Sequence, residues 1–583
     1  MRRDTTVSGC EIFRLCLIVA PGSHGGKMAE SAGVLIEGGK MDWGLLDKGR
    51  IVAGPGFNRW LVPPAALCIH LCIGMAYGFS VFWLPLSRAI GLKQPLACPA
   101  DMSFFDRMFV TTCDWKISEL GWMYTLFFVF LGGSAAIWGG WLEHAGPRKA
   151  GFVAALCWCG GLVIGAVAIY THQLWLMWLG PGMLGGVGLG LGYISPVSTL
   201  IKWFPDRRGM ATGMAIMGFG GGAMIGAPLA QMLMQHYATP TSVGVMETLL
   251  TMAAIYFVFM TAGAFGYRIP APGWKPARWT PPAASANSLI TTRHVHVNEA
   301  PKTPQFWLIW GVLCMNVTAG IGIIGMASPM LQEVFGGQLI GVDLSFNELS
   351  AAQKIQIAAI AAGFTGLLSL FNIAGRFIWA SSSDYLGRKM TYYTFFALGM
   401  ALYASAPWSG HHHHIALFVG AFGIILSMYG GGFATVPAYL ADMFGTQMVG
   451  AIHGRLITAW SAAGIFGPVI VNYLREYQLD HGVPRALVYD ITAYVLCGLL
   501  AIGFLCNWLV KPVEDKHFMT EEQLEAERRL GHEAASRVAA SGPRALSADA
   551  TNPAIVFGAW LVVGVPILWG VAITLEKAWV LFR

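Results

Sequence analysis

The sequence predicts an all-α membrane protein built as two six-helix bundles with one further helix at the C-terminus. Three observations carry that expectation. Hydrophobic residues make up 55% of the 583 residues and charged ones only 12%, against about 25% charged in soluble domains. Twelve apolar runs near the length of a bilayer span fall into two groups of six around a polar stretch. The loops that follow the second and eighth runs repeat one another. The 73 glycines fit the same class, because small residues let membrane helices approach closely. A net charge of +6 is modest, and nothing in it points to nucleic acid.

Taken in order, residues 1–57 read as a cytoplasmic tail or a wrongly assigned start. EIFRLCLIVA is too short to span, its flanks make a poor signal peptide, and Met28 and Met41 are alternative starts. The first bundle, 58–267, holds runs at 61–83, 118–141, 150–170, 175–200, 209–235 and 247–267. The stretch 268–304 contains PAPGWKPARWTPPAASANS and reads as a linker. The second bundle, 305–512, holds runs at 306–332, 355–381, 390–408, 415–438, 449–473 and 486–510. In the polar segment 513–553, Thr520 and Gln523 form a capping-box pattern for a short exposed helix. The last segment, 554–583, carries a thirteenth run at 554–574.

Basic residues orient the chain. The loops after runs 2, 4, 6 and 8 carry Arg148 and Lys149; Lys202, Arg207 and Arg208; Arg268, Lys275 and Arg278; Arg388 and Lys389. Loops after runs 3, 5 and 9 carry no Lys or Arg. The positive-inside rule then puts the N-terminus, the linker and 513–553 in the cytoplasm and the C-terminus outside. In a bacterial inner membrane, outside is the periplasm. Most of the 11 cysteines lie in apolar runs. Cys98 and Cys113 share one external polar loop, where an oxidising compartment allows them to pair.

The repeat sets GGWLEHAGPRK against ASSSDYLGRK, that is Glu143, Gly146, Arg148 and Lys149 against Asp384, Gly387, Arg388 and Lys389. A second echo sets Pro196, Phe204, Gly209 and Gly213 against Pro437, Phe444, Gly450 and Gly454. Two parallel six-helix halves are a transporter architecture with a midplane site between them. Charge contacts in such loops can hold one conformation and release in the other; the plainer reading is a pair of solvated turns.

The acid-x-x-Gly loops with their basic pairs resemble the signature of the major facilitator superfamily. More narrowly, NRWLVPPAALCIHLCIGMAYGFSVF, KWFPDRRGMATG and NIAGRFIWASSSDYLGRK resemble the oxalate/formate antiporter family over about residues 58–512. AWLVVGVPILWGVAITLEKAWVLF resembles a single-helix small subunit found with some of these transporters, here fused. The resemblance implies the major facilitator fold and exchange of small carboxylates by alternating access.

Arg376 is the leading site candidate. It lies eight residues before Asp384, roughly 12 Å up a helix at about 1.5 Å per residue, where half the hydrocarbon core is about 15 Å. Ionisable groups at that depth face the interior and mark function. The counterpart position in the first half is Ala135, so the arginine is not part of the repeated loop. A guanidinium can hold a carboxylate with two parallel bonds. An internal ion pair is the alternative, yet no Asp or Glu occupies the middle of any of the twelve runs. The resemblance agrees, since this arginine is a substrate ligand in that family. Its oxalate-exchanging member also uses a lysine that aligns near Trp460, so this sequence departs from the oxalate pattern and favours a monocarboxylate. Arg455 is either a substitute or a side chain that snorkels to the cytoplasmic face.

Tyr77, Tyr193 and Trp460 fall at mid-run depths and can cage a small anion; packing or lipid-facing roles are the alternative for each. His70 is the one modest candidate for proton coupling, and a hydrogen-bonded structural histidine is its plainer reading. Glu119 and Glu247 open their runs and are expected to face water. HHHH at 411–414 falls in a short external turn and is expected to have no acid or cysteine nearby, so only adventitious metal affinity is expected. No nucleotide motif, zinc constellation or nucleophile pattern stands out, so no cofactor, metal or enzymatic activity is expected. The expected partners are a small carboxylate anion and the lipid bilayer, with the chain acting as a monomer. Exchange, proton symport of lactate, pyruvate or formate, and a transporter-like carboxylate sensor remain open.

Overall fold

A computed structural model describes residues 44–92, 96–99, 101–271, 274–277, 289–527, 529 and 551–582. The tail before residue 44, the middle of the linker, all of 530–550 and the Glu143 side chain lie outside the described residues.

Among the described residues thirteen long helices follow one another. The first half comprises α1 (Val62–Ile73), α2 (Ile117–Ala145), α3 (Pro147–Thr171), α4 (Gly186–Trp203), α5 (Arg208–Tyr237) and α6 (Val245–Gly266). α1 runs on as a 3-10 stretch, Gly74–Phe82, and α4 is entered through a π-helical stretch, Trp178–Gly185. The second half comprises α7 (Pro304–Phe335), α8 (Ala351–Leu386), α9 (Arg388–His411), α10 (Ile415–Phe444), α11 (Thr458–Asp480) and α12 (Asp490–Leu509). A short helix, Val449–Leu456, leads into α11. The extra helix is α13 (Pro553–Ala578).

Among the described residues eleven helical segments, α13 included, are long and apolar enough to cross a membrane. α8 and α9 are not among them. α8 carries Asn372, Arg376 and the Ser381–Asp384 tail, and α9 opens on Arg388 and Lys389.

The repeated loops fold alike. α2 ends and α3 begins at Gly146 with φ 88°, and α8 ends and α9 begins at Gly387 with φ 83°. That left-handed region is open to glycine at little cost, and Pro147 suits the first helical position. Thr520 and Gln523 exchange the two capping bonds expected of them, at 3.1 and 3.3 Å.

The halves meet along α2 with α11 and along α5 with α8 and α10. Gly139 of α2 faces Ala451 and Gly454, and Gly213 of α5 passes the Arg376 carbonyl. The Gly209 amide donates to Asp384 Oδ1 at 3.2 Å. Ser461 Oγ donates to the Phe128 carbonyl at 2.6 Å. These contacts run from mid-membrane toward the face that carries the linker, so the seam is closed on the linker side. The opposite face carries the Cys98–Cys113 disulfide, Cα–Cα 5.1 Å. There Asp114 accepts from the Ile90, Gly91 and Leu96 amides at 2.7 to 2.9 Å, and folds the loop around its carboxylate.

Two expectations need correcting. Glu119 does not face water: it is 6% exposed, pairs with Arg107 at 3.1 Å and caps α2 through the Lys116 amide. Glu247 is half-buried, with one carboxylate oxygen enclosed. The four histidines have an acid beside them after all, because α12 brings Asp490 Oδ2 to 2.8 Å from His411 Nε2. Asp490 lies 79 residues from His411 and arrives only through packing, whereas Arg107 and Lys116 are local partners of Glu119.

Candidate functional site

Arg376 is fully buried, one turn beyond Asn372 on the same face of α8. Its Nε donates to Asn372 Oδ1 at 2.7 Å, and its Nη1 donates to the Ile216 carbonyl of α5 at 3.1 Å. Nη2 is buried and has no hydrogen-bond partner among the described residues. The guanidinium carbon lies 5.7 Å from the Phe219 ring centroid and 5.5 Å from that of Phe433, one ring from each half. Neither hydrogen-bond acceptor carries a charge, so the positive charge is held without being cancelled.

The aromatic candidates converge here. Trp460 is fully buried among Phe433 at 4.3 Å, Phe219 at 5.1 Å, Tyr193 at 5.2 Å, Phe128 at 5.6 Å and Tyr77 at 6.3 Å, centroid to centroid. Tyr77, on the 3-10 continuation of α1, shares a 2.6 Å hydrogen bond with the Tyr429 hydroxyl of α10. Tyr193 Oη and Trp460 Nε1 are buried donors with no hydrogen-bond partner among the described residues. Arg376, Tyr77, Tyr193 and Trp460 therefore belong to one sealed cluster at the seam, walled by both halves. Such an arrangement offers one positive charge, several N–H and O–H donors and apolar rings, the complement of a small anion with an apolar body.

His70 lies at the edge of the cluster. Its Nδ1 meets the Ala215 carbonyl and its Nε2 lies 3.2 Å from the Tyr193 carbonyl. The loop residues lie elsewhere. Arg148 donates to the carbonyls of Leu45, Phe265 and Tyr267 at 2.9, 3.0 and 3.4 Å. Lys149 is within electrostatic reach of Asp47. Lys389 donates to the Trp508 and Val510 carbonyls at 3.1 and 2.7 Å. Arg388 pairs with Asp384 at 2.6 Å and Asp442 at 3.2 Å. Arg455 is committed to the linker, donating to Val297 O at 2.6 Å and Asn298 Oδ1 at 2.7 Å. It is no second cation for the cluster.

Sequence reading missed Asn372, Phe219, Tyr429 and Phe433. Only Asn372 left a signal, four residues before Arg376 and hence on its face. The others come from helices whose register against α8 is a tertiary fact.

With this geometry in hand, the relatives bear on it. The chain is 26% identical to the oxalate:formate antiporter of Oxalobacter formigenes over 419 residues, 70% of this chain and 83% of that one. It is 24% identical to apicoplast pyruvate carrier 1 of Toxoplasma gondii, over 62% of this chain and 70% of that one. Human monocarboxylate transporter 11 is 28% identical, over 41% of this chain and 45% of that one. The proton:xylose symporter XylE shares the fold, with a TM-score of 0.51 at 14% identity over 80% of this chain and 98% of that structure. The profile of the Major Facilitator Superfamily matches residues 66–468, and the chain belongs to that superfamily of multi-pass membrane transporters.

Proposed function

We propose that this transporter carries small carboxylate anions, by exchange, through rocking of the two halves about Arg376. The observation that carries the reading is a buried guanidinium whose Nη2 makes no hydrogen bond of good geometry and has the Tyr77 hydroxyl, not an acid, within reach. A carboxylate supplies the missing acceptor and the missing charge in one group. Trp460 stands where a second cation would serve a dianion, which favours a monocarboxylate such as formate, lactate or pyruvate. The named relatives support the class. The bundles rock about the cluster while the Asp384 contact with Gly209 opens and closes with the linker side. The linker is cytoplasmic in this reading, and the membrane is a bacterial inner membrane.

Flux in proteoliposomes tests it. Wild type is expected to show saturable carboxylate uptake that requires an internal anion. Arg376→Ala should abolish it and Arg376→Lys should leave a small remnant, since an ammonium cannot reproduce the planar fork. Undiminished carboxylate flux in Arg376→Ala would refute the site, and absence of any flux would favour a sensor.

One geometry favours proton symport as a second reading. Both ring nitrogens of His70 face carbonyl oxygens, and a neutral imidazole has only one N–H to give. Uptake driven by a pH gradient without internal anion would decide for it.

A further inference from the structure

We propose that Asn372 is a positioning residue that aims Arg376 at the substrate while leaving its charge whole. The proposal rests on the carboxylate reading above. Asn372 is 2% exposed, and its Oδ1 holds Arg376 Nε at 2.7 Å. With Nη1 on the Ile216 carbonyl, two of the three guanidinium nitrogens are fixed by uncharged acceptors. The planar fork is thereby locked with Nη2 left over. An amide satisfies the donor without a counter-charge, whereas a carboxylate at 372 would pair with the arginine and compete with the substrate.

Both halves enforce this placement. A Cβ on Gly220 of α5 would stand 3.0 Å from Asn372 Oδ1 and 3.1 Å from Arg376 Nε. A Cβ on Gly430 of α10 would stand 2.7 Å from the same Oδ1 and 3.0 Å from Arg376 Cγ. The Gly430 approach excludes any side chain, and the Gly220 approach would press the pair by a few tenths of an ångström. The titratable groups within electrostatic reach of Arg376 are His70 and Tyr77 from α1, Tyr193 from α4 and Tyr429 from α10. α5 brings a backbone carbonyl, Phe219 and Gly220 instead.

The test is carboxylate flux against pH in proteoliposomes for wild type, Asn372→Asp, Asn372→Ala and Arg376→Ala. Asn372→Asp should lose about tenfold or more at neutral pH and recover as the pH falls and the new carboxyl takes a proton. Wild type over the same range corrects for His70. Asn372→Ala should raise KM more than it lowers kcat. A merely structural asparagine would give a loss independent of pH. Neutral-pH flux in Asn372→Asp equal to wild type, or a loss that acid does not restore, overturns the proposal. Normal flux in Arg376→Ala would instead sink the carboxylate reading itself, so the two failures are distinguishable.

From separate contacts, we infer that α13 is a strap across the seam between the bundles. Its linker-side end is tied to the first half. The Asn58 amide donates to Thr551 Oγ1 at 3.0 Å, the Thr551 amide to the Gly56 carbonyl at 3.2 Å, and Trp560 Nε1 to the Trp60 carbonyl at 3.1 Å. Val563, 1% exposed, packs with Leu67 and Cys68 of α1. Its other end reaches the second half. Beyond Gly570, which still passes Met224 and Ile225 of α5 in the first half, Thr574 seats against Gly366 of α8, and the final turn, Trp579–Phe582, lies on α8 and α10. One rigid helix fastened to both bundles must slip at one end when they rock. Its present seating holds the closed linker side.

A cross-link tests this. A Cβ on Gly366 would stand 3.6 Å from Thr574 Cβ, within the roughly 3.5–4.5 Å range of disulfides. Oxidised Gly366→Cys/Thr574→Cys should lose flux about tenfold and regain it on reduction. A second variant, cut before Thr551, should speed alkylation of an Ala451→Cys probe on the linker-side seal relative to the full chain. Full oxidation with unchanged flux, or equal alkylation rates with and without α13, overturns the strap.

Discussion

The 2.6 Å bond between Tyr77 and Tyr429 joins the two halves by single side-chain hydroxyls at the level of the site. The Tyr77 ring also meets Phe219 edge-on and lies tilted against Trp460, so its ring and its hydroxyl do different things. Phenylalanine at either position keeps the ring and removes the bond. Each of Tyr77→Phe and Tyr429→Phe is therefore expected to cost about 1 kcal/mol, read as a several-fold weakening of substrate competition. The double variant should cost little more than either single one, because both remove the same bond. Additive losses in a double-mutant cycle of binding would show that the hydroxyls act separately. The residues here divide by how they can be read. Arg376 was legible because a charge in an apolar run is costly and its depth follows from counting residues to the loop. Tyr77, Tyr193 and Trp460 were legible as mid-run positions, although not as one cluster. Tyr429 and Phe433 were not, because aromatic residues in an apolar run have no signature until the facing helix is in place.

At the scale of elements, the repeated loop acquires a physical reason. In the first half Arg148 reaches the last carbonyls of α6, Phe265 and Tyr267. In the second, Lys389 reaches the last carbonyls of α12, Trp508 and Val510. Each copy thus caps the sixth helix of its own bundle, where the orphan carbonyls and the dipole welcome a cation. The sequence showed the repetition and suggested a conformational role for both copies, while the capping partner lay more than a hundred residues away. Arg148→Ala removes a guanidinium shared by three carbonyls, two of which Arg268 also serves, and is expected to destabilise the fold by about 1–1.5 kcal/mol. Lys389→Ala, at a wetter site, should cost about 1 kcal/mol. Thermal unfolding in detergent, measured beside flux, checks both. The acid behaves differently. Asp384 bonds across the seam to the Gly209 amide as well as to Arg388. Asp384→Asn should therefore change the rate of interconversion more than the melting temperature. A large drop in melting temperature with normal flux would make it a structural pair alone.

At the scale of the molecule, the seam closes on the linker side through glycines. A Cβ on Gly454 would stand 2.6 Å from the Ala135 carbonyl, and Gly139 faces the same short helix. Backbone against backbone is a surface that packs tightly in one state and parts cleanly in the other, which is what a bistable interface requires. Here the repeat was again half legible: Gly450 and Gly454 echo Gly209 and Gly213, but the sequence does not say that both pairs face the opposite bundle. Gly454→Leu would set a wedge into this contact without touching Arg376 or the aromatic cage. The closed linker side should lose population by at least tenfold, about 1.4 kcal/mol. Labelling of a linker-side Ala451→Cys probe should rise accordingly, and net flux should fall because the return to the closed state is blocked. Binding of carboxylate from the linker side should persist. Arg376→Ala should show the converse, ordinary labelling with binding lost. If Gly454→Leu abolishes binding as well as flux, the seal and the site are one unit, and the separation of gate from ligand drawn from the positions of Gly454 and Arg376 fails.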